Sequence, residues 1–453
     1  MNHFDTIIRH GKIVTAEEVR EIDVGIIEGQ IASLEPNLTG PAREAIDATG
    51  LHIFPGLIDS HVHFNEPGRA HWEGFETGTR ALAAGGGTMF FDMPLNAHPP
   101  TIDGASFDRK LAAAQGAALV DFAFWGGLVP GNLDCLEELA ERGVIGFKAF
   151  MSDSGIDDFP RVDDRALRAG MKRAAQLGKI VAVHAESESL TQKRTREHLA
   201  RNETSIADYL DSRPIQAELD AISRALEMAG ETGCALHIVH VSSGTGIGLI
   251  STARRQGVDV TCETCPHYLA LTDKDVLRLG AVAKCAPPLR AENEQDALWN
   301  HLEAGEVTTI GSDHSPVPPE MKTDANFFKV WGGISGVQHT LPLLISDGHE
   351  KHRLALPLLA RLTCFNVAQR FKLPAAKGRI AVGADADLAL IDVGQTFAVE
   401  LDKLFYRHRQ SPYVGRRLTG KVVQTILRGQ TVCKDGKIVS KPMGRLIKLV
   451  PQP

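Results

Sequence analysis

The amino-acid sequence predicts an α/β fold: a (β/α)8 TIM-like barrel with a small β-sandwich domain built from both chain ends. Two observations predict it. Apolar runs of strand length alternate eight times with helical patterns in the middle of the chain, and short apolar runs broken by turn residues occupy both ends. The change of pattern places a composite β-sandwich domain at residues 1–53 and 375–453, and the barrel at residues 54–374.

Both chain ends carry the pattern of short antiparallel strands. Near the start, residues 7–14 and 24–31 each predict a β-hairpin, because apolar runs flank a glycine-containing turn. Similar runs occur at 386–391, 422–427 and 436–439. Neither end is long enough to bury a core alone, so we expect the two ends to pair in one domain.

The middle of the chain has a different rhythm. Near-continuous apolar strands separated by helical segments are typical of a parallel sheet covered by helices on its outer face. The predicted strands are residues 57–63, 88–93, 120–125, 144–150, 180–184, 236–241, 258–262 and 308–313. Eight such units predict a closed barrel.

Polar side chains able to bind a metal stand at or just beyond the ends of these strands. They are His61, His63, Asn96, Lys148, His184, His240, His267 and Asp313. Active sites of such barrels form at the C-terminal ends of the strands. His61 and His63 are two residues apart on one strand, so their side chains point to the same face and can bind one ion together. The sequence therefore predicts a metal site in the barrel mouth.

Lys148 lies within an apolar strand, where an ammonium group without a partner is unfavourable. Two interpretations stay open from the residues alone. A neutral lysine amine can add carbon dioxide and become an anionic carbamate that bridges two cations. Alternatively, the side chain extends out of the barrel mouth or pairs with Asp313. Asp313 itself can bind a metal and accept a proton from water.

The composition excludes several classes of function. The net charge of -7 comes from interspersed charges without a basic tract, so nucleic acid is not an expected partner. No apolar run reaches the ~18 residues of a membrane helix, and the start lacks the pattern of a secretory signal. Seven scattered cysteines predict a reduced, cytoplasmic protein. The pair Cys262 and Cys265 is interpreted as two ordinary thiols in preference to a zinc or redox motif.

These residues resemble the cyclic amidohydrolase family, which includes dihydroorotases, hydantoinases and allantoinases. The resemblance covers essentially the whole chain. It is carried by Asp59-x-His61-x-His63, Gly146-Phe147-Lys148, His184, His240, the segment around Asp313, and residues 383–388. Within the family, residues 63–69, 72–80, 92–96, 148–152 and 331–336 are most similar to allantoinases.

The resemblance implies a binuclear metal centre and a cyclic-amide hydrolase. Lys148 would be the carboxylated ligand that bridges two divalent ions. His61, His63 and Asp313 would hold one ion, His184 and His240 the other, and Asp313 would also be catalytic. Nitrogen and oxygen donors fit Zn²⁺ first, and also Mn²⁺, Co²⁺, Ni²⁺ or Fe²⁺. Relatives of this kind are commonly homotetramers, so a homo-oligomer is expected.

Asn65 distinguishes the possible substrates. Dihydroorotases typically carry an arginine at this position to pair with the substrate carboxylate, and a neutral amide cannot replace that contact. The resemblance therefore implies hydrolysis of the neutral ring of allantoin to allantoate. A hydantoinase of broader specificity is the alternative; a dihydroorotase and an inactive family scaffold are less favoured. The candidate substrate-binding residues are Asn65, Asn96, Ser152, Ala286, Gly332 and Gly333. Ala286 departs from the residues usual in the family, which weakens its assignment.

Overall fold

The computed structural model describes residues 3–449. Strands β1–β20 are Phe4–Arg9, Lys12–Val14, Val19–Glu21, Asp23–Ile27, Gln30–Glu35, Ala42–Asp47, His52–Pro55, Leu57–Val62, Gly87–Asp92, Asp121–Phe124, Gly126–Gly127, Gly146–Phe150, Ile180–His184, Leu236–Ile238, Val260–Thr264, Thr309–Ile310, Leu388–Ala398, Arg417–Leu427, Gln430–Lys434 and Lys437–Ile438. Helices α1–α14 are Phe75–Ala84, Gly104–Ala114, Leu136–Arg142, Asp164–Gln176, Glu188–Ala200, Ile206–Ser212, Ile215–Thr232, Gly244–Arg255, Pro266–Ala270, Asp273–Leu279, Glu292–Glu303, Thr340–Leu343, Leu356–Ala360 and Asn366–Arg370. Short 3₁₀ helices occupy Leu133–Cys135, Gly280–Ala283, Pro319–Lys322, Val337–His339 and Leu401–Lys403, and π-helical turns occupy Leu344–Lys351 and Arg361–Phe365.

The predicted (β/α)8 barrel is confirmed. Strands β8, β9 and β10 pair in parallel, and β11 to β16 form a second parallel arc. The third barrel strand is bent between β10 and β11, and a parallel bridge from Val62 to His314 joins the first strand to the segment after β16. All eight predicted strand positions are therefore occupied around one closed ring.

Strand β9 shows why these segments form a barrel. Met89 and Phe91 belong to the hydrophobic cluster inside the ring, whereas Phe90 belongs to the cluster between strands and helices. Because successive side chains of a strand point to opposite faces, a continuous apolar run buries both faces. Helix α4 covers the outside with buried residues at a helical spacing, among them Leu167, Met171 and Ala174.

The two chain ends form two sheets that share one hydrophobic core. One sheet has the order β5-β4-β1-β6, and the other has the order β20-β19-β18-β17-β7-β2-β3, with strands from both ends. Ile8, Val24, Ile53, Leu390 and Ile426 pack together between them. The predicted pairing of the chain ends is thus present in the described residues, through β7 and β17.

One of the two predicted hairpins is correct and the other is wrong. Residues 24–31 form the antiparallel pair β4 and β5. Residues 7–14 do not form a hairpin, because β1 and β2 belong to different sheets. His10 has a φ of 60°, and Gly11 packs so closely on Ile53 that an added Cβ would lie 2.5 Å from that side chain. The chain therefore crosses from one layer of the sandwich to the other at this turn.

A buried ion cluster joins the sandwich to the barrel. The Nζ atom of Lys377 lies 2.7 Å from Asp121 at the start of β10, 2.7 Å from Asp387 and 2.9 Å from Asp385. Arg428 also pairs with Asp121. Burying these charges is favourable only because they are paired with one another.

The end of the described chain crosses the lower rim of the barrel. Gly444 donates its backbone N–H to Ala118, Phe122 donates to Arg445, and Ile447 donates to Phe122. This segment thereby continues the hydrogen bonding of the third barrel strand. Within residues 3–449, no helix combines the length and apolar character needed to cross a membrane.

Candidate metal centre

His61, His63 and Asp313 converge at the mouth of the barrel. The Nε2 atoms of both histidines lie 3.3 Å from Oδ1 of Asp313, and all three side chains are buried. The other ring nitrogens fix the tautomers: Nδ1 of His61 donates to Glu263 at 2.8 Å, and Nδ1 of His63 donates to the carbonyl of Leu95 at 2.9 Å. Both Nε2 atoms are then left with a lone pair directed at the carboxylate.

His184 and His240 form a second group beside the first. Nδ1 of His184 lies 3.0 Å from Nε2 of His240, and the ring centroid of His240 is 5.4 Å from that of His61. Nε2 of His184 donates its proton to Glu186 at 2.8 Å, so Nδ1 is the nitrogen that keeps an unprotonated lone pair. Burial lowers the pKa of both histidines, and a neutral imidazole is the form that binds a metal.

Lys148 is fully buried and lies next to both groups. Its Nζ atom has no hydrogen-bond partner among the described residues. Burial lowers its pKa to about 7, while Asp313 and Glu263 oppose that shift. The pairing with Asp313 that was considered from the sequence is absent: no ion pair of Lys148 occurs within residues 3–449. The side chain also does not extend into solvent. The structure therefore excludes both alternatives to carbamate formation, a lysine extended out of the barrel mouth and a lysine paired with Asp313.

The donor set fits divalent cations. Two histidine lone pairs and a carboxylate oxygen point at one another, and such an arrangement is repulsive unless a positive charge lies between them. Positive charge facing Asp313 acts against burial: burial raises the pKa of this carboxyl, but His61, His63 and His267, when protonated, outweigh it and hold the pKa at about 2. A metal cation facing Asp313 would favour the ionised carboxylate in the same way. Neutral nitrogens, an ionised carboxylate and an unpartnered buried amine are the ligand chemistry of a divalent metal centre.

Two strands end earlier than the sequence predicts, at the positions of two of these ligands. The predicted strand 236–241 stops at Ile238, and the predicted strand 308–313 stops at Ile310. His240 has a φ of 40° and Asp313 a φ of 45°, which few residues other than glycine adopt. The left-handed backbone ends the strand and turns each side chain into the barrel mouth. Backbone strain of this kind is typical of functional sites.

Sequence reasoning missed the buried acids that support the ligands. Glu263 on β15 binds His61 and also accepts a hydrogen bond from Ser60. Glu186 binds His184 and is paired with Arg213. Burial raises the pKa of Glu186, but the positive charge of Arg213 outweighs this effect and the pKa is lowered to about 2. The position of Glu263 on a barrel strand next to the predicted ligands was the one available signal. Carboxylates that hold the second nitrogen of a metal-binding histidine fix its tautomer and direction.

Asp59 links the first and last barrel strands below the ligands. Its Oδ1 accepts the backbone N–H of His61 at 3.1 Å and that of Ser312 at 3.0 Å. Burial raises its pKa to about 7. The carboxyl group therefore couples the backbone before His61 to the backbone before Asp313.

A cavity opens above the ligands, and four of the six predicted substrate-binding residues line it. These are Asn96, Ala286, Gly332 and Gly333; the wall also includes Leu95, Phe150, Asp153, Ser154, Cys285, Ser315 and Trp331. Asn65 and Ser152 are buried outside this wall. The Nδ2 atom of Asn65 donates to the carbonyl of Pro316, and Oγ of Ser152 has no hydrogen-bond partner within residues 3–449.

The remaining polar positions from the sequence lie nearby. His267 in α9 is buried and neither ring nitrogen has a partner among the described residues. Cys262 and Cys265 are buried free thiols, in line with the interpretation as ordinary cysteines. The pKa of each thiol is raised by burial, which keeps it unreactive.

Comparisons with known proteins agree with this fold. A family model described as the amidohydrolase family matches residues 52–432. The chain belongs to the amidohydrolase family, and the protein is an enzyme of the hydrolase class.

Its curated relatives include an allantoinase of Rubrobacter xylanophilus, 54% identical over 99% of this chain and 98% of the relative. An allantoinase of Deinococcus radiodurans is 52% identical over 98% of each chain. Among solved structures, the L-hydantoinase (dihydropyrimidinase) from Arthrobacter aurescens has a TM-score of 0.96 at 34% identity, covering 98% of this chain and 100% of that chain. The resemblance expected from the sequence is confirmed.

Proposed function

We propose that the protein hydrolyses the cyclic amide of allantoin to give allantoate. Water adds to a ring carbonyl carbon, the ring C–N bond breaks, and the departing nitrogen takes a proton. The observation that carries the substrate assignment is the cavity wall. The wall includes His61, His63 and Asp313 of the first ligand group and His184 and His240 of the second. Among the described residues that line it, none is a lysine or an arginine. A substrate carboxylate would find no lysine or arginine side chain on this wall to pair with, whereas a neutral ureido-hydantoin ring needs none.

Two divalent metal ions, Zn²⁺ foremost, fit the donor set. His61, His63 and Asp313 would hold one and His184 and His240 the other. Lys148 is proposed as the bridging ligand after carboxylation: its neutral amine adds carbon dioxide, an N–C bond forms, and one proton is released. The buried Nζ, which has no hydrogen-bond partner among the described residues and lies near His61 and His240, supports this assignment. When bound, such ions polarise a carbonyl and make water nucleophilic at neutral pH.

Side chains of the wall supply the remaining chemistry. Asp313 is proposed to accept the proton of the attacking water and to deliver it to the ring nitrogen, because its carboxylate lies at the cavity floor beside His61 and His63. Asn96 offers its side-chain amide to the ureido arm. Phe150 stacks on His184 with centroids 4.5 Å apart and holds that ring in place.

A hydantoinase of broader specificity is the second candidate function. It is favoured by the TM-score of 0.96 with an L-hydantoinase, since nearly the same backbone fold carries that activity. The two functions differ only in which ring substituent the cavity recognises, the ureido group of allantoin or another side chain. The identity of 54% with an allantoinase places allantoin first.

A three-substrate assay tests the proposal. Purified protein, with its metal content measured, is given allantoin, hydantoin and dihydroorotate, and ring opening is followed for each. We expect allantoin to have the highest kcat/KM and dihydroorotate to be inactive. Equal or faster turnover of hydantoin would favour the second candidate. A metal-free, inactive protein would instead indicate a catalytically dead scaffold.

Lysine carboxylation and assembly have separate tests. Native mass spectrometry at neutral pH should find one added carbon dioxide per chain, absent in Lys148→Met. Light scattering should find a homo-oligomer, for which a tetramer is our expectation. A cytoplasmic location is proposed because all seven cysteines are free, and six of them are buried.

A further inference from the structure

Two lysines outside the metal centre hold one wall of the cavity. Residues 327–333, here called the wall loop, carry Trp331, Gly332 and Gly333 to the cavity. The Nζ atom of Lys284 donates to the carbonyls of Phe327, Phe328 and Val330, and Nζ of Lys322 donates to those of Ala281, Trp331 and Gly333. An ammonium group has three donors, so each lysine is fully satisfied by backbone carbonyls alone.

Neither lysine has a counter-charge. No ion pair of Lys284 or Lys322 occurs in the described part of the chain, and Lys284 is only 4% exposed. The ammonium of Lys284 instead lies 4.3 Å from the ring centre of Tyr209, whose hydroxyl donates to the carbonyl of Cys285. Burial without an acidic partner lowers the pKa of both lysines to about 7. Removing a cation from water without a counter-charge costs free energy. The presence of two such lysines at one wall, Lys284 buried and Lys322 half-buried, therefore indicates a specific task.

The wall loop is also tied to the opposite segment of the cavity. Gly333 donates its N–H to the carbonyl of Lys284 at 2.7 Å, and its φ of 151° suits glycine. A Cβ on Gly333 would lie 2.3 Å from the carbonyl oxygen of Ser315, so no other residue fits. Gly332 then lies against Cys285 and Ala286. Lys284 thus holds the wall loop through two groups: its ammonium binds loop carbonyls, and its backbone carbonyl accepts the N–H of Gly333.

We propose that Lys284 and Lys322 are positioning residues that hold the wall loop in register with residues 284–286 and thereby set the shape of the substrate cavity. Phe327 and Val330 bury apolar side chains in the hydrophobic core, and Trp331 packs edge-on against Trp72 at 5.0 Å. These contacts hold side chains, whereas the two ammonium groups hold the backbone carbonyls of the loop. Loss of one ammonium frees three carbonyls at once. The loop then samples other conformations, and the substrate must reorder it on binding. The inference relies on the proposed function only for the choice of substrate.

The test compares Lys322→Met with Lys329→Met in the metal-loaded protein. Lys329 lies in the same loop, is exposed, and has no side-chain hydrogen bond or ion pair in the described structure, so it is a matched control. In Lys322→Met we expect amide hydrogen exchange of residues 327–333 to be about tenfold faster without substrate. The KM for allantoin should rise about tenfold with kcat changed less than about threefold, because ground-state and transition-state binding are weakened alike. Metal content should equal that of the wild type.

Different outcomes would refute the positioning role of the lysines and the proposed function. Exchange and KM equal to those of Lys329→Met would overturn the proposal, and so would faster exchange with an unchanged KM. The Lys284→Met variant should show the same two effects more strongly, because its lysine is more deeply buried. A wild-type protein inactive on allantoin would refute the proposed function instead, and the exchange comparison would then decide by itself whether the lysines anchor the loop.

Discussion

Replacing Glu263 by glutamine tests whether a buried carboxylate sets the affinity of the metal centre. The Glu263 side chain is fully buried, with Oε1 2.8 Å from Nδ1 of His61 and Oε2 accepting from Ser60. A glutamine has the same shape and can still accept from His61, while its amide nitrogen donates to the hydroxyl of Ser60. The substitution therefore removes the charge and retains the hydrogen bonds.

The expected magnitude follows from that geometry. Charge-assisted hydrogen bonds are about twice as strong as neutral ones, and a bond to a charged group contributes about 1.5–3 kcal/mol. Losing half of that in two bonds corresponds to about 1.5–3 kcal/mol, or roughly 10–100-fold in an equilibrium constant. The same range, ~10–100-fold in metal affinity, is typical when the partner of a metal-binding histidine is changed.

Metal affinity is measured by chelator competition, and metal content by elemental analysis. Glu303→Gln is the control, because Glu303 is exposed at the end of α11 and undergoes the same chemical change. We expect weaker metal binding in Glu263→Gln and none of this effect in the control. A Glu263→Gln protein that binds metal as tightly as the wild type would refute the role given to this carboxylate.

Three further predictions concern other parts of the molecule. Asp313→Asn should lower kcat by about 10²–10⁴-fold with metal content near that of the wild type, because an amide oxygen can bind a metal but cannot accept the proton. Lys377→Met should destabilise the protein by about 3–5 kcal/mol in thermal or denaturant unfolding, because it leaves buried carboxylates uncompensated. His198, bonded to Asp211 and Glu203, has a raised pKa, so the stability it contributes is present below its unfolded pKa of about 6.5 and is lost as pH rises through the folded pKa. His198→Gln should therefore lower the melting temperature more at pH 5.5 than at pH 9.

Each of these predictions has an outcome that contradicts it. Full activity of Asp313→Asn would remove the proton-transfer role. Lys437 is exposed and makes no ion pair with any residue that the structure describes, so Lys437→Met should leave stability unchanged. An equal loss in both lysine variants would exclude the buried cluster as the cause. A pH-independent difference between His198→Gln and the wild type would show that the imidazole charge plays no part.

The barrel was predictable because its determinants are local. Each barrel strand is a continuous apolar run, and strand period places His61 and His63 on one face without knowledge of the fold. The rule that barrel sites lie at strand ends then groups the ligands. The wrongly predicted strand ends at residues 241 and 313 have a different origin. The positive φ of His240 and Asp313 follows from tertiary constraints, which residue propensities do not predict.

Supporting interactions were not predictable because their partners are distant in sequence. Glu263 and His61 are separated by 202 residues. The carbonyls that hold Lys284 and Lys322 are backbone atoms, which no residue pattern marks. The failed hairpin at residues 7–14 has the same cause, since Gly11 packs on Ile53, a residue distant in sequence, where the chain crosses between the two sheets.

The pairing of β7 with β17 has a consequence for how the chain is made. Ile53 and Leu390 are neighbours in one sheet although most of the chain lies between them. At synthesis rates of ~5–20 residues per second, the edge of β7 waits tens of seconds for its partner to leave the ribosome. During that time an unpaired strand edge is open to association with other chains. All barrel strands precede β17 in the chain, so they can pair while the sandwich is still incomplete. Overproduction in cells depleted of chaperones should therefore increase aggregation through the N-terminal strands.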